Sequence, residues 1–80
     1  MNQDVFSEVL RTAANVLSVD VKRLSADSSP VEVESWDSVR HLNLILALEA
    51  KYAIAFEPEE MDQMRTLGEI ATVINRRISN

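Results

Sequence analysis

The strongest helical signal of the sequence lies in residues 37–52, DSVRHLNLILALEAKY. Its apolar residues recur at spacings of three and four, which is the pattern of an α-helix. The apolar arc is wider than one core-facing side requires, so this helix either lies centrally in a bundle or presents part of its surface to a partner. Asp37 or Ser38 supplies the side-chain oxygen that caps its first turn.

Three further helices are predicted around this central segment. Val5–Leu17 carries one apolar stripe at helical spacing, and Asn2 or Asp4 can cap its start. Pro58 suits the first position of a short third helix, which continues past Met61.

A fourth helix is predicted after Thr66-Leu67-Gly68-Glu69, which has the sequence of a capping box. Arg76 and Arg77 suit the negative end of its helix dipole. Residues 18–36 are rich in turn formers, and the strand-like alternation at residues 31–34 has no second strand to pair with. The sequence therefore predicts an all-α fold of one domain, residues 1–80: a four-helix bundle of three longer helices and a short helix 3, with a long loop between helices 1 and 2.

Composition excludes several classes of protein. The chain has 80 residues and a formal net charge of −5, which argues against nucleic acid or an anionic membrane as its main partner. It contains no Cys, so a disulfide scaffold, a thiolate zinc site and a cysteine nucleophile are all excluded. No apolar run approaches the roughly 20 residues that span a bilayer, and the first residues lack the pattern of a signal peptide. We expect a cytoplasmic monomer without a transmembrane segment.

Two arrangements of polar residues invite a chemical interpretation that we reject. Ser38 and His41 stand one helical turn apart, as in a serine–histidine hydrolase, but the chain offers no evident oxyanion hole or substrate cleft. We expect His41 to be a polar residue on an exposed flank. The acidic run of residues 57–62 lacks the spacing and the glycine of a calcium loop, so we predict a solvated face and no metal site.

Ser38 and Trp36 stand where the long loop meets helix 2. Trp36 is interpreted either as a hinge residue packed at this junction or as an exposed contact beside Ser38. Ser38 opens an apolar helix, and a helix N-terminus favours a phosphate ester placed there. Ser38 is therefore well placed to be modified by another enzyme.

Residues 34–49, ESWDSVRHLNLILALE, resemble the phosphopantetheine attachment region of acyl carrier proteins. The family pattern is Asp-Ser-Leu, then an apolar helix that ends in a Leu-Glu pair and an aromatic residue, here Tyr52. The resemblance continues through residues 56–60 and 66–70, and it spans essentially the whole chain.

This resemblance implies a carrier that is not itself an enzyme. Ser38 would bear a covalent 4′-phosphopantetheine arm, which a phosphopantetheinyl transferase takes from coenzyme A, and Asp37 matches the acidic residue before the serine. The thiol of the arm would hold acyl groups as thioesters. Acyl-loading and acyl-transferring enzymes would be the partners.

The resemblance also implies two sets of functional residues on and around helix 2. One set would contact partner enzymes: Val39, Arg40, Leu42 and Leu46, together with Trp36 if it is exposed. The other set would line an interior acyl pocket: Leu44, Leu48, Phe56 and Met64.

The charge of helix 2 differs from that of the family's fatty-acid carriers. Carriers of fatty-acid synthesis are strongly acidic along this helix, whereas residues 38–52 carry a formal charge of +1 from Arg40 and Lys51 against Glu49. We therefore expect a specialised carrier of a lipid, polyketide or other secondary-metabolite pathway. An aminoacyl or D-alanyl carrier, and a small helical adaptor that never bears a prosthetic group, remain alternatives.

Overall fold

The computed structural model describes residues 4–78, and these contain helices but no strand. The four α-helices are α1 (Asp4–Leu17), α2 (Ser38–Tyr52), α3 (Pro58–Gln63) and α4 (Leu67–Ile78). The loop between α1 and α2 contains a single 3₁₀ turn at Val21–Arg23, which was not expected from the sequence. The predicted all-α bundle with a short third helix is confirmed. No helix of residues 4–78 is long and apolar enough to cross a membrane.

Helix α1 packs against both α2 and α4, and α3 packs against α4. The apolar stripe of α1 is buried at Val9, Ala13 and Leu17, each with no exposed surface. Burial of such stripes stabilises each helix far more than its intrinsic propensity does. Further fully or nearly fully buried large side chains come from α2, from α4 and from the connection between α3 and α4: Leu44, Ile45, Leu48, Met64, Leu67, Ile70, Val73 and Ile74.

The wide apolar arc of α2 is divided between the core and the surface. Leu44, Ile45 and Leu48 are buried. Val39, Leu42 and Leu46 lie on the surface, with exposed fractions of 68%, 53% and 53%. Helix α2 therefore fills the core on one side and leaves a second apolar face uncovered within the described chain.

The loop of residues 18–37 is tied to the C-terminal end of α1. The Ser35 hydroxyl donates to the carbonyl oxygen of Leu17 at 2.8 Å. The backbone N–H of Val19 donates to the carbonyl of Ala14 at 3.1 Å. These bonds satisfy carbonyls that an α-helix leaves unpaired in its last turn.

The same loop is tied to the N-terminal end of α4. The N–H groups of Leu67 and Gly68 donate to the carbonyls of Ser28 and Ala26, at 3.2 and 2.9 Å. Gly68 permits this close approach, because a Cβ at position 68 would lie 3.1 Å from both the Cβ and the carbonyl oxygen of Ala26. The predicted capping box is also present: the N–H of Glu69 donates to the Thr66 hydroxyl, and the N–H of Thr66 donates to the Glu69 carboxylate.

Helix α3 begins at Pro58, as predicted, and Glu57 is its N-cap. The Glu60 carboxylate accepts from the N–H of Glu57 at 2.8 Å and also pairs with the Arg77 guanidinium at 2.6 Å. Glu60 thus connects the start of α3 to the last turn of α4. The cap of α1 proposed at Asn2 lies outside the described residues, and α1 as described begins at Asp4.

Helix α2 ends at Ala53, which has the left-handed backbone conformation with φ of 56° and ψ of 46°. Glycine is the usual residue at this position, because a Cβ makes the left-handed conformation unfavourable by about 1–2 kcal/mol. Ala53 is exposed, so its side chain contributes little packing that would offset this strain.

We predict that Ala53→Gly stabilises the protein. Relief of backbone strain exceeds the added flexibility of the unfolded chain, so the free energy of unfolding should rise by about 0.5–1 kcal/mol. The matched control is Ala50→Gly, an exposed position inside α2, which should lower it by about 1 kcal/mol. Urea unfolding of the two variants measures both changes, and equal effects would show that Ala53 is not strained.

Candidate functional site

Ser38 is the first residue of α2, and its side chain lies on the surface. Asp37, rather than Ser38, is the N-cap: its carboxylate accepts from the N–H of Arg40 at 2.9 Å. The Ser38 hydroxyl makes no hydrogen bond within residues 4–78. It is therefore an accessible hydroxyl at the positive end of a helix, and capping does not occupy it.

An open groove of about 680 Å³ runs beside Ser38, between the loop, the start of α2 and α3. Trp36, Ser38 and His41 lie along one side of it. Met61 and Met64 give the opposite side an apolar surface. This groove offers room for a flexible group attached to Ser38.

Trp36 and His41 form a stacked, hydrogen-bonded pair at the junction of loop and helix. Their ring centroids are 5.8 Å apart with an interplanar angle of 25°. The indole Nε1–H of Trp36 donates to Nδ1 of His41 at 3.0 Å. Burial lowers the pKa of His41, because desolvation disfavours the imidazolium.

The structure decides between the two interpretations of Trp36 and overturns the expectation for His41. Trp36 is 2% exposed, so it is packed at the junction and does not offer a surface contact to a partner. His41 is half-buried against it and does not stand on an exposed flank. The physical reason is the same for both residues, because each ring covers the other and the indole N–H finds its acceptor within the pair.

Arg40, which the resemblance places among the partner contacts, is half-buried. Its Nη1 donates to the carbonyl of Val16 at 3.2 Å and approaches the Ser18 hydroxyl at 3.5 Å. A guanidinium at this position compensates the negative end of the α1 dipole. Arg40 therefore holds the start of α2 against the end of α1.

The other predicted site residues fall into two groups. Val39, Leu42 and Leu46 form an exposed apolar face on α2, which we call the α2 face. The interior residues are all buried: Leu44, Leu48, Phe56 and Met64. Of these four, Met64 also lines the groove beside Ser38.

Helix α2 itself provides no free acidic side chain beside the α2 face. The carboxylate of Glu49, the only acidic residue of α2, accepts from the N–H of Phe56 at 2.8 Å. Lys51 pairs with Glu8 of α1 at 3.0 Å, and this bond lowers the pKa of Glu8.

The rejected chemical interpretations gain no support from the geometry. Nδ1 of His41 accepts from Trp36 and so cannot also take a proton from Ser38. Within residues 4–78 no three His, Asp or Glu side chains come together as metal ligands would.

The structure is thus a small helical bundle that presents an exposed serine without a described hydrogen bond at a helix start, beside an open groove. The family model described as "Phosphopantetheine attachment site" matches residues 7–74. The chain therefore belongs to this family, the acyl carrier proteins, whose prosthetic group is 4′-phosphopantetheine.

Relatives and a solved structure agree with this assignment. The chain is 29% identical to the acyl carrier protein of Thermosynechococcus vestitus over 80 residues, which covers 99% of each chain. It is 33% identical to that of Chlamydia caviae over 61 residues, covering 76% of this chain and 79% of the relative. The holo acyl carrier protein of Geobacter metallireducens, solved by NMR, superposes with a TM-score of 0.85 at 25% identity, covering 95% of this chain and 87% of that one.

The different roles of Asp37 and Ser38 give a testable prediction. Asp37→Ala removes the N-cap of α2 and should lower the free energy of unfolding by about 1 kcal/mol. Ser38→Ala removes an exposed side chain without a described partner and should change it by less than about 0.5 kcal/mol. Urea unfolding of both variants is the measurement. A larger loss for Ser38→Ala than for Asp37→Ala would mean that the serine, not the aspartate, caps the helix.

Proposed function

We propose that Ser38 is the attachment point of 4′-phosphopantetheine and that the holo protein carries acyl groups as thioesters between partner enzymes. The observation that carries this proposal is the position of Ser38: an exposed, unengaged hydroxyl at the start of α2, inside the matched region. The α2 N-terminus favours the phosphodiester that attachment creates.

In the attachment reaction this chain supplies only the nucleophile, the Ser38 oxygen. The Ser38 oxygen forms a bond to the phosphorus nearest the pantetheine part of coenzyme A. The pyrophosphate bond breaks, and adenosine 3′,5′-bisphosphate leaves. The serine proton passes to a base of the transferase, since His41 Nδ1 is engaged by Trp36. The bound group supplies the thiol that holds the acyl cargo.

The acyl cargo could lie in either of two places, the groove or the core. The groove lies directly beside Ser38, and Met64 belongs both to its lining and to the buried core. We propose that longer apolar cargo enters the interior past Met64 and meets Leu44, Leu48 and Phe56. Room for it must come from a local rearrangement, since these side chains are packed against one another.

The attachment proposal predicts a complete change of mass. Incubation with coenzyme A and a broad-specificity phosphopantetheinyl transferase should convert the protein from its apo to its holo mass. Ser38→Ala should remain unmodified. Ser35→Ala, a nearby serine whose hydroxyl bonds to Leu17, is the matched control and should still be converted. Intact mass and peptide mapping measure both results.

An unchanged wild-type mass beside a control carrier would favour the alternative of a helical adaptor that docks through the α2 face. A label found on Ser35 would also contradict the proposal.

The chemical identity of the cargo that partner enzymes load onto the holo protein distinguishes an acyl carrier from an aminoacyl or D-alanyl carrier.

We further propose that this carrier serves a specialised lipid, polyketide or other secondary-metabolite pathway. Partners of an acidic helix bind it through basic surfaces, with strong dependence on salt. Here Glu49 bonds to the backbone and Arg40 to α1, so the accessible recognition surface is the apolar α2 face. Its partners should bind mainly by burying Val39, Leu42 and Leu46.

The charge of α2 can be tested with added carboxylates. Asn43→Glu with Ala50→Glu places two acidic groups at exposed positions of α2. A ketosynthase of fatty-acid synthesis should use the wild type poorly and the double variant roughly tenfold better at low salt, since opposite charges accelerate association. The gain in kcat/KM should shrink as salt is raised.

The control adds the same charge elsewhere, through Ser7→Glu with Val21→Glu, both at exposed positions off α2. This variant should behave as the wild type does. If the wild type matches a fatty-acid carrier at every salt concentration, the specialised role is wrong.

A further inference from the structure

We propose that His41 binds the prosthetic group: its Nε2–H donates a hydrogen bond to the phosphodiester that joins the arm to Ser38. This inference rests on the proposed function, because the phosphodiester exists only once Ser38 is modified. The ligand that His41 recognises is thus a phosphate diester anion one helical turn away on the same helix.

The Trp36–His41 bond fixes which nitrogen of the ring can donate. An indole N–H is a donor only, so Nδ1 of His41 must present its lone pair to Trp36, 3.0 Å away. The neutral ring then holds its proton on Nε2. Trp36 is buried and stacked on the imidazole, so the ring is held in this orientation. The buried tryptophan therefore prepares His41 as a hydrogen-bond donor through its other nitrogen.

His41 lies in the groove beside Ser38, and its Nε2 is free to bind a ligand there. His41 and Ser38 line the same groove, and residues three apart on a helix have Cβ atoms about 5–6 Å apart. Within residues 4–78 Nε2 has no hydrogen-bond partner, and it is not among the buried polar atoms that lack one. Nε2 thus keeps accessible surface on a residue that lines the groove beside Ser38, so a phosphate on the Ser38 oxygen can come within its range.

Other charged groups face the same groove and must be distinguished from His41. They are Asp37, the N-cap of α2, Asp62 of α3 and Arg65, which follows α3. Arg65 is the competing cation, and its Nε donates to the carbonyl of Asp62 at 3.2 Å. The two acidic groups repel a phosphate, which makes a fixed donor such as His41 more useful there.

The experiment is NMR of the purified apo and holo proteins. The ¹⁵N shifts of the only histidine should show the Nε2-protonated form in apo protein at neutral pH. In holo protein the pKa of His41 should be higher than in apo protein, because the phosphodiester stabilises the imidazolium against the effect of burial. The Nε2 proton should exchange more slowly, and the ³¹P resonance should titrate with the same pKa as the ring.

Variants separate hydrogen bonding from simple proximity. His41→Phe keeps a ring against Trp36 but lacks the donor, so the ³¹P resonance of its holo form should move toward that of a phosphodiester on an unfolded peptide. His41→Gln retains an N–H donor and should restore part of the difference. Asn43→Gln, exposed on the same helix, should leave the ³¹P resonance unchanged. Trp36→Phe retains His41 but should lose the fixed Nε2-protonated form.

Either of two results would overturn the inference: the same ³¹P resonance in wild type and His41→Phe, or a change only in Arg65→Gln. Both require that holo protein forms, so they are distinct from a failure of attachment, which intact mass detects first. If His41→Phe does not fold, the NMR titrations of His41 in wild-type apo and holo protein still test the inference. Equal pKa values of His41 in the two forms would exclude a hydrogen bond from its ring to the phosphodiester.

Discussion

The ends of the helices impose the constraint on which this structure depends. An α-helix leaves unpaired N–H groups at its start and unpaired carbonyls at its end, and burying them unpaired is costly. Here the loop of residues 18–37 meets both demands, since it donates to the last turn of α1 through Ser35 and accepts from the first turn of α4 through Ala26 and Ser28. The long loop is therefore part of the bundle, although it contains no α-helix.

The same bonds determine where Ser38, the proposed attachment point, lies. Because Ser35 is held on Leu17 and Arg40 on Val16, the loop enters α2 in one direction. Trp36 then packs inward against His41, and Ser38 is left exposed at the helix start. The proposed attachment needs an accessible hydroxyl in a defined position, and both follow from the capping of neighbouring helices.

The sequence predicted those features that depend on local rules. Helical spacing, Pro58 and the Thr66–Glu69 box indicated the helices, because each acts within a few residues. Ser38 was recognised from a contiguous motif. The surroundings of Arg40 were not predictable, because Arg40 and Val16 are 24 residues apart and their contact leaves no pattern in the sequence. The contact of His41 with Trp36 spans only five residues, but it depends on how the loop enters α2, which no local pattern indicates. The same is true of the loop carbonyls that cap α4, where Gly68 was the only sign of close approach.

Hydrogen exchange of the amides of Leu67 and Gly68 tests the central claim most directly. Both donate to carbonyls of the loop rather than to another turn of helix. If the loop is part of the cooperative fold, these amides exchange only through global unfolding, with protection close to that of the core amides of α2. Exchange at rates typical of an exposed chain, while α2 remains protected, would show that the loop opens independently and does not position Ser38.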